Sequence, residues 1–212
     1  MARTEDKPRS PLIGHEFRFF RHEFHVLQSA RDIDDGTLRI DYSAPPRASV
    51  SRHVHRFQEE HFEVVSGTLG VRVGGRELIL SPGQSAVGPA GVPHSWWNPA
   101  DEEVRFLAGI SPGLEVEIWL ETLLGLARDG KTVRGLPRNP LQFAVLAREV
   151  GSWVYLGPMG KALFAPVSAL AYVGGLLGYK TRYPRYSGPG AGCKEGERWP
   201  RHQSHLCREH YR

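Results

Sequence analysis

Three histidines and a carboxylate constrain this chain more than any other feature. His53-Val54-His55 sets two imidazoles at i and i+2, which share a face only if the backbone is extended. A carboxylate, Glu59 or Glu60, follows after a short bend and heads the β-forming run Phe62-Glu63-Val64-Val65. His94 arrives on a later extended segment, just after the Gly- and Pro-rich stretch 88–93. Three neutral imidazoles and one carboxylate suit one divalent transition metal ion such as Fe, Mn, Ni, Cu or Zn.

The surrounding spacing sharpens this reading. His53, His55 and Glu60 are followed by Gly67, with six residues between Glu60 and Gly67. Gly83, Pro89, Gly91, His94 and Asn98 then form a second motif, Gly-x5-Pro-x-Gly-x2-His-x3-Asn. In both motifs the chain resembles the cupin superfamily, as a single-barrel, type 2-like member. The one departure is Arg47, which stands where the first motif of that family opens on a turn-forming Gly. The resemblance implies a mainly β fold, an antiparallel double-stranded β-helix or jelly-roll barrel. It also implies metal ligation by His53, His55, Glu60 and His94, and pairing of two barrels into a homodimer.

The strand pattern agrees. Phe17 to Gln28 reads as one or two strands, and Thr37 to Ser43 as another, with Leu38, Ile40 and Tyr42 on one face. Short apolar runs separated by Gly-rich turns continue to Ile110, a spacing expected of a sandwich or barrel. His15, His22 and His25 fit neither motif and are expected at the surface or a sheet edge.

From Pro112 onward the texture changes to a smaller α-helical region. Val116, Trp119 or Leu120, Leu123 or Leu124, and Ala127 recur at helical spacing. Asn139-Pro140 predicts an N-cap and first-turn proline, with the helix ending near Val150 and Gly151 as terminator. Residues 162–179 carry no charge between Lys161 and Lys180. Pro166, Ser168 and Gly174-Gly175 interrupt that run, so a buried helix or helix pair is expected there, with a membrane contact as the lesser alternative. The expected domains are a lead-in over 1–14, the barrel over 15–113, a helical extension over 114–186 and a basic, disordered tail over 187–212. The tail holds His202, His205, Cys207 and His210, whose spacing matches no structural zinc module, and it has too few large aliphatics for a core.

Charge is uneven. From Lys180 to the end there are eight cations and three anions, so the rest of this +4 chain is near neutral. No nucleic-acid motif accompanies the basic end. The opening residues are charged and lack an apolar signal core, and cytoplasmic residence is the default expectation.

Function follows from the open coordination positions such a site would leave. The expectation is a metal-dependent small-molecule enzyme of dioxygenase type, an oxidoreductase. The alternatives are a non-catalytic ligand-binding or sensing barrel and a Zn- or Mn-dependent isomerase. Strand alternation turns Trp96 and Asn98 inward with His94, and Phe62 with Glu60. Phe62 and Trp96 are therefore the expected substrate-binding residues, favouring a small apolar or aromatic molecule bearing one or two oxygens.

Overall fold

The computed structural model describes residues 10–14, 16–19, 22–33, 35–155 and 157–187. The tail with its His and Cys residues, the lead-in before Ser10, and His15 lie outside them. Ten strands come first: β1 (Glu16–Phe19), β2 (His22–Gln28), β3 (Leu38–Ala44), β4 (Ser49–His55) and β5 (Glu59–Ser66), then β6 (Leu69–Val73), β7 (Arg76–Leu80), β8 (Ser85–Gly88), β9 (His94–Trp97) and β10 (Val104–Ser111). Helix α1 (Leu114–Arg128), a small hairpin of β11 (Thr132–Val133) and β12 (Leu136–Pro137), and α2 (Pro140–Trp153) follow. The described part ends with β13 (Val154–Tyr155), α3 (Gly157–Leu176) and α4 (Pro184–Ser187).

Two antiparallel sheets make the jelly roll. One runs β1-β2-β3-β10-β5-β8 and the other β13-β4-β9-β6-β7. Period-2 patterning explains the interior. Val104, Phe106, Ala108 and Ile110 of β10 are buried while Arg105 is exposed. Phe62, Val64, Leu69, Val71 and Trp96 meet Phe106 and Ala108 in one core cluster. A second cluster continues along the same sheet face, where Phe24, Val26, Leu38, Ile40 and Ile110 receive Val116 and Leu120 of α1. Tyr42 packs against both clusters.

Helix α1 carries three buried carboxylates, which its apolar spacing did not announce. Glu117 accepts hydrogen bonds from Ser29 Oγ (2.7 Å) and the Ala30 N–H (2.8 Å). Glu121 accepts from Ser10 Oγ (3.3 Å) and pairs with Arg31. These bonds fasten the segment before β3 to the helix, since a buried carboxylate is tolerated only when paired.

The helical region corrects two expectations. Asn139 does cap α2, its Oδ1 accepting from Leu141 N (2.9 Å) and Gln142 N (3.2 Å). The helix does not stop at Gly151, however, but runs through it to Trp153. A Cβ at Gly151 would stand 2.9 Å from the Phe164 ring, so this glycine serves the approach of α3 instead of a C-cap. Pro166 and Gly174 likewise lie within α3, and a Cβ at Gly174 would meet Val145 at 2.9 Å and the Leu141 carbonyl at 3.1 Å. Helices α2 and α3 do pair, through Ala144, Val145 and Ala171. Among the described residues of α3, burial is confined to that seam: Leu163, Leu170, Tyr172 and Leu176 are exposed, as is Leu177 just beyond the helix.

Arg47 shows how the turn between β3 and β4 is kept without the usual glycine. It sits at φ 62, in the left-handed region, which costs a side-chain-bearing residue roughly 1–2 kcal/mol. Its guanidinium reaches the Pro99 carbonyl (3.2 Å) and Asp101 (2.6 Å), both at the surface. Exposed pairs contribute little, so Arg47→Gly is expected to leave stability unchanged or raise it by up to about 1 kcal/mol. Denaturant titration of the two proteins reads this directly; a loss of more than about 1 kcal/mol would mean that the surface pair outweighs the backbone strain.

Candidate metal centre

Strands β4, β5 and β9 bring His53, His55, Glu60 and His94 together inside the barrel. One ligand atom from each lies within 4.8 Å of every other, and all four residues are buried. The register makes this so: His53 stands opposite His94 where β4 pairs with β9, and Glu60 enters from the facing sheet. Glu60 Oε2 lies 3.0 Å from His94 Nε2, 3.4 Å from His55 Nε2 and 3.6 Å from His53 Nε2.

Each ring is held from behind. His53 Nδ1 donates to the Ser51 carbonyl (2.8 Å) and His94 Nδ1 to the Val92 carbonyl (2.9 Å). A carbonyl can only accept, so each Nδ1 carries a hydrogen; the inward Nε2 donates to Glu60 when it too is protonated and offers a lone pair to a cation when it is not. His55 Nδ1 meets Gln58 Oε1 at 3.1 Å, and Gln58 Nε2 donates to Glu115 Oε2 at 2.9 Å. The Glu115 carboxylate therefore fixes the amide orientation of Gln58, and Gln58 fixes His55. Gln58 is fully buried, and Glu115 comes from α1. Neither stood out in the sequence, because the first is a bend residue and the second is 60 positions away from His55.

Electrostatics fit a cation site. Burial alone would raise the Glu60 carboxyl, but hydrogen bonds from His53, His55 and His94 hold it well below the usual carboxylate range. Burial, and then the Glu60 charge, push the Tyr42 phenol well above its ordinary value, so Tyr42 keeps its proton. Three aligned Nε2 atoms and one ionised carboxylate fit a divalent transition metal.

Aromatic rings pack around the cluster. The Phe62 ring centroid lies 6.4 Å from that of His94, and both side chains are fully buried. Trp96 contacts Phe106 edge-on at 5.0 Å, and Tyr42 stacks on Phe106 at 5.2 Å. His22 is not a bystander at the sheet edge: its ring meets Trp96 edge-on at 5.3 Å. Its place on β2 turns it toward the barrel interior, whereas His25 is exposed. Asn98 is buried but has a structural task, its Nδ2 donating to the carbonyls of Ala44, Pro45 and Glu102. Glu59 lies outside, 2.5 Å from His61 Nε2, with both side chains about half exposed.

The Cupin domain family model matches residues 41–110, the span from β3 to β10. The chain carries a cupin domain. A curated relative, the probable oxidoreductase virH of Hypocrea virens, is 28% identical over 176 residues, covering 76% of each chain. Among solved structures, this cupin is similar to a predicted oxalate decarboxylase of Thermotoga maritima, at 21% identity and TM-score 0.42. That match covers 48% of this chain and 93% of the other. KdgF from a Halomonas species is 18% identical with TM-score 0.39, over 43% and 79% of the two chains.

Two expected outcomes follow from the cupin site. A Cβ added at Gly88 would lie 2.9 Å from the His94 ring. Gly88→Ala should therefore cost about 1–3 kcal/mol in a denaturant titration and weaken metal uptake; unchanged values for both would show that His94 has room to shift. The second outcome concerns pH. Glu115 is pushed up to about 7 by burial and the neighbouring Glu149, and Glu121 to about 7 by burial despite Arg31. The metal-free folded chain then holds more protons than the unfolded chain between about 4.5 and 7. Stability should fall as pH rises through that window and level off above it. Urea midpoints measured across it should show this slope, and Glu115→Gln should flatten it; an identical slope in the variant would assign the effect elsewhere.

Proposed function

We propose that this cupin is a metal-dependent oxidoreductase of dioxygenase type, acting on a small apolar or aromatic molecule that carries one or two oxygens. The observation behind this reading is the convergence of three oriented Nε2 atoms and the Glu60 carboxylate within 4.8 Å. The similarity to a probable oxidoreductase supports the reaction class.

His53, His55, Glu60 and His94 would hold the ion. When bound there, it supplies Lewis acidity and, as Fe, Mn, Ni or Cu, redox chemistry toward dioxygen. The protein's own part is orientation and exclusion of water. The backbone carbonyls of Ser51 and Val92 and the Gln58–Glu115 pair lock the rings, so little reorganisation accompanies binding. Phe62 and Trp96 would contact the apolar part of the substrate, and Tyr42 keeps a proton available as a hydrogen-bond donor.

The test begins with elemental analysis of the full chain after reconstitution with each ion. About one equivalent is expected in the unmodified protein and in His22→Ala, and little in His53→Ala or His94→Ala. Oxygen consumption with enolic and aromatic substrates should then depend on the bound ion. Equal metal content in all three variants would sink the site. One equivalent of Zn with no oxygen uptake would favour isomerase chemistry, and no metal at all would favour a ligand-binding barrel.

A further inference from the structure

Helix α3 presents an apolar surface that the rest of the described chain leaves bare. Its packed stripe is Val167, Ala171 and Gly174, set against Leu141 and Val145 of α2. Around the remaining circumference Leu163, Leu170, Tyr172, Val173 and Leu176, and Leu177 just past the helix end, are between 40% and 71% exposed. No charged residue occurs from Ala162 to Tyr179. A helix that is apolar all round is normally covered, and a patch of this extent marks a docking surface.

The charge around it decides between occupants. From Asp129 to Ser187, eight Lys and Arg residues stand against two acids, Asp129 and Glu149, a net of +6, and Asp129 pairs with Lys131 and Arg185. Residues 1–128 are opposite in sign, with fourteen cations and eighteen anions. Lys161 and Lys180 bracket the uncharged run. A second copy docked face to face would bring two net-positive helical regions together, a repulsion that an isologous contact cannot avoid. An anionic lipid surface supplies both partners at once, acyl chains for the apolar face and phosphate or carboxylate headgroups for the flanking cations. None of the described helices is long and apolar enough to cross a membrane, so the contact would lie in the interface plane.

We propose that α3 docks this protein peripherally on anionic phospholipid bilayers. The helix lies along the surface with Leu163, Leu170, Tyr172, Val173 and Leu176, and Leu177 just beyond its end, inserted at the acyl boundary. Lys180, exposed just beyond the helix, reaches the headgroups, as long cationic side chains do at an interface.

The test is co-sedimentation of the full chain with vesicles of phosphatidylcholine alone and of phosphatidylcholine with one-third phosphatidylserine. Binding to the anionic vesicles is expected to be at least about tenfold tighter and to weaken in 0.5 M salt. Leu176→Glu and Tyr172→Glu alter two of the most exposed side chains of the helix and should each lower binding about tenfold with unchanged thermal midpoints and metal content. Lys180→Glu should lower it severalfold without touching the apolar face. Absence of binding to the anionic vesicles, or equal binding by all the variants, would overturn the proposal. So would a dimer in light scattering that Leu176→Glu disperses, since the face would then join two copies of the chain.

Discussion

Four polar side chains converge inside a barrel whose interior is otherwise mostly apolar, and much of the structure exists to make that tolerable. A buried imidazole or carboxylate costs several kcal/mol unless its hydrogen-bonding groups are met. Here the outward nitrogen of every ring is met by protein. Ser51 and Val92 give backbone carbonyls, and Gln58 gives a side-chain amide. The inward nitrogens share the Glu60 carboxylate. The strand pleat alone would point these residues inward; their rotation about χ1 and χ2 is set by these second contacts.

The same economy ties the barrel to the helices. Glu115 of α1 anchors Gln58, and β13 pairs with β4 so that Val154 stands opposite His55. A helix and a two-residue strand, both outside the span matched by the family model, therefore bear on one histidine of the cluster. Glu117 and Glu121 do parallel work at the segment 29–31. Buried carboxylates in α1 serve as fasteners between elements distant in sequence, and burial raises Glu115 and Glu121 because fastening comes at the cost of hydration.

Two faces of opposite character result. The barrel side is acidic, whereas the helical side is basic and carries the run of exposed apolar residues along α3. Among the described residues, helix α3 packs mainly on α2, and the close seam through Gly174 spends its small residues there. Its larger side chains Leu163, Leu170 and Leu176 are left outside.

The sequence by itself determined a sandwich or barrel and, through its motif resemblance, the four converging residues. Local rules carried part of this: alternation puts His53 and His55 on one face, and glycine-rich turns place His94 on a later strand. The Asn139-Pro140 helix start was legible for the same reason, since a cap is a contact between near neighbours. What needed tertiary structure were contacts between distant elements. Gln58 and Glu115 meet across 57 positions, His22 reaches Trp96 across the barrel, and Gly88 yields space to a ring it precedes by six residues. Gly151 and Gly174 looked like helix breakers because sequence shows backbone freedom and hides the neighbour that needs the space. Whether an uncharged helix is covered depends on how many neighbours reach it, and only the packed structure fixes that number.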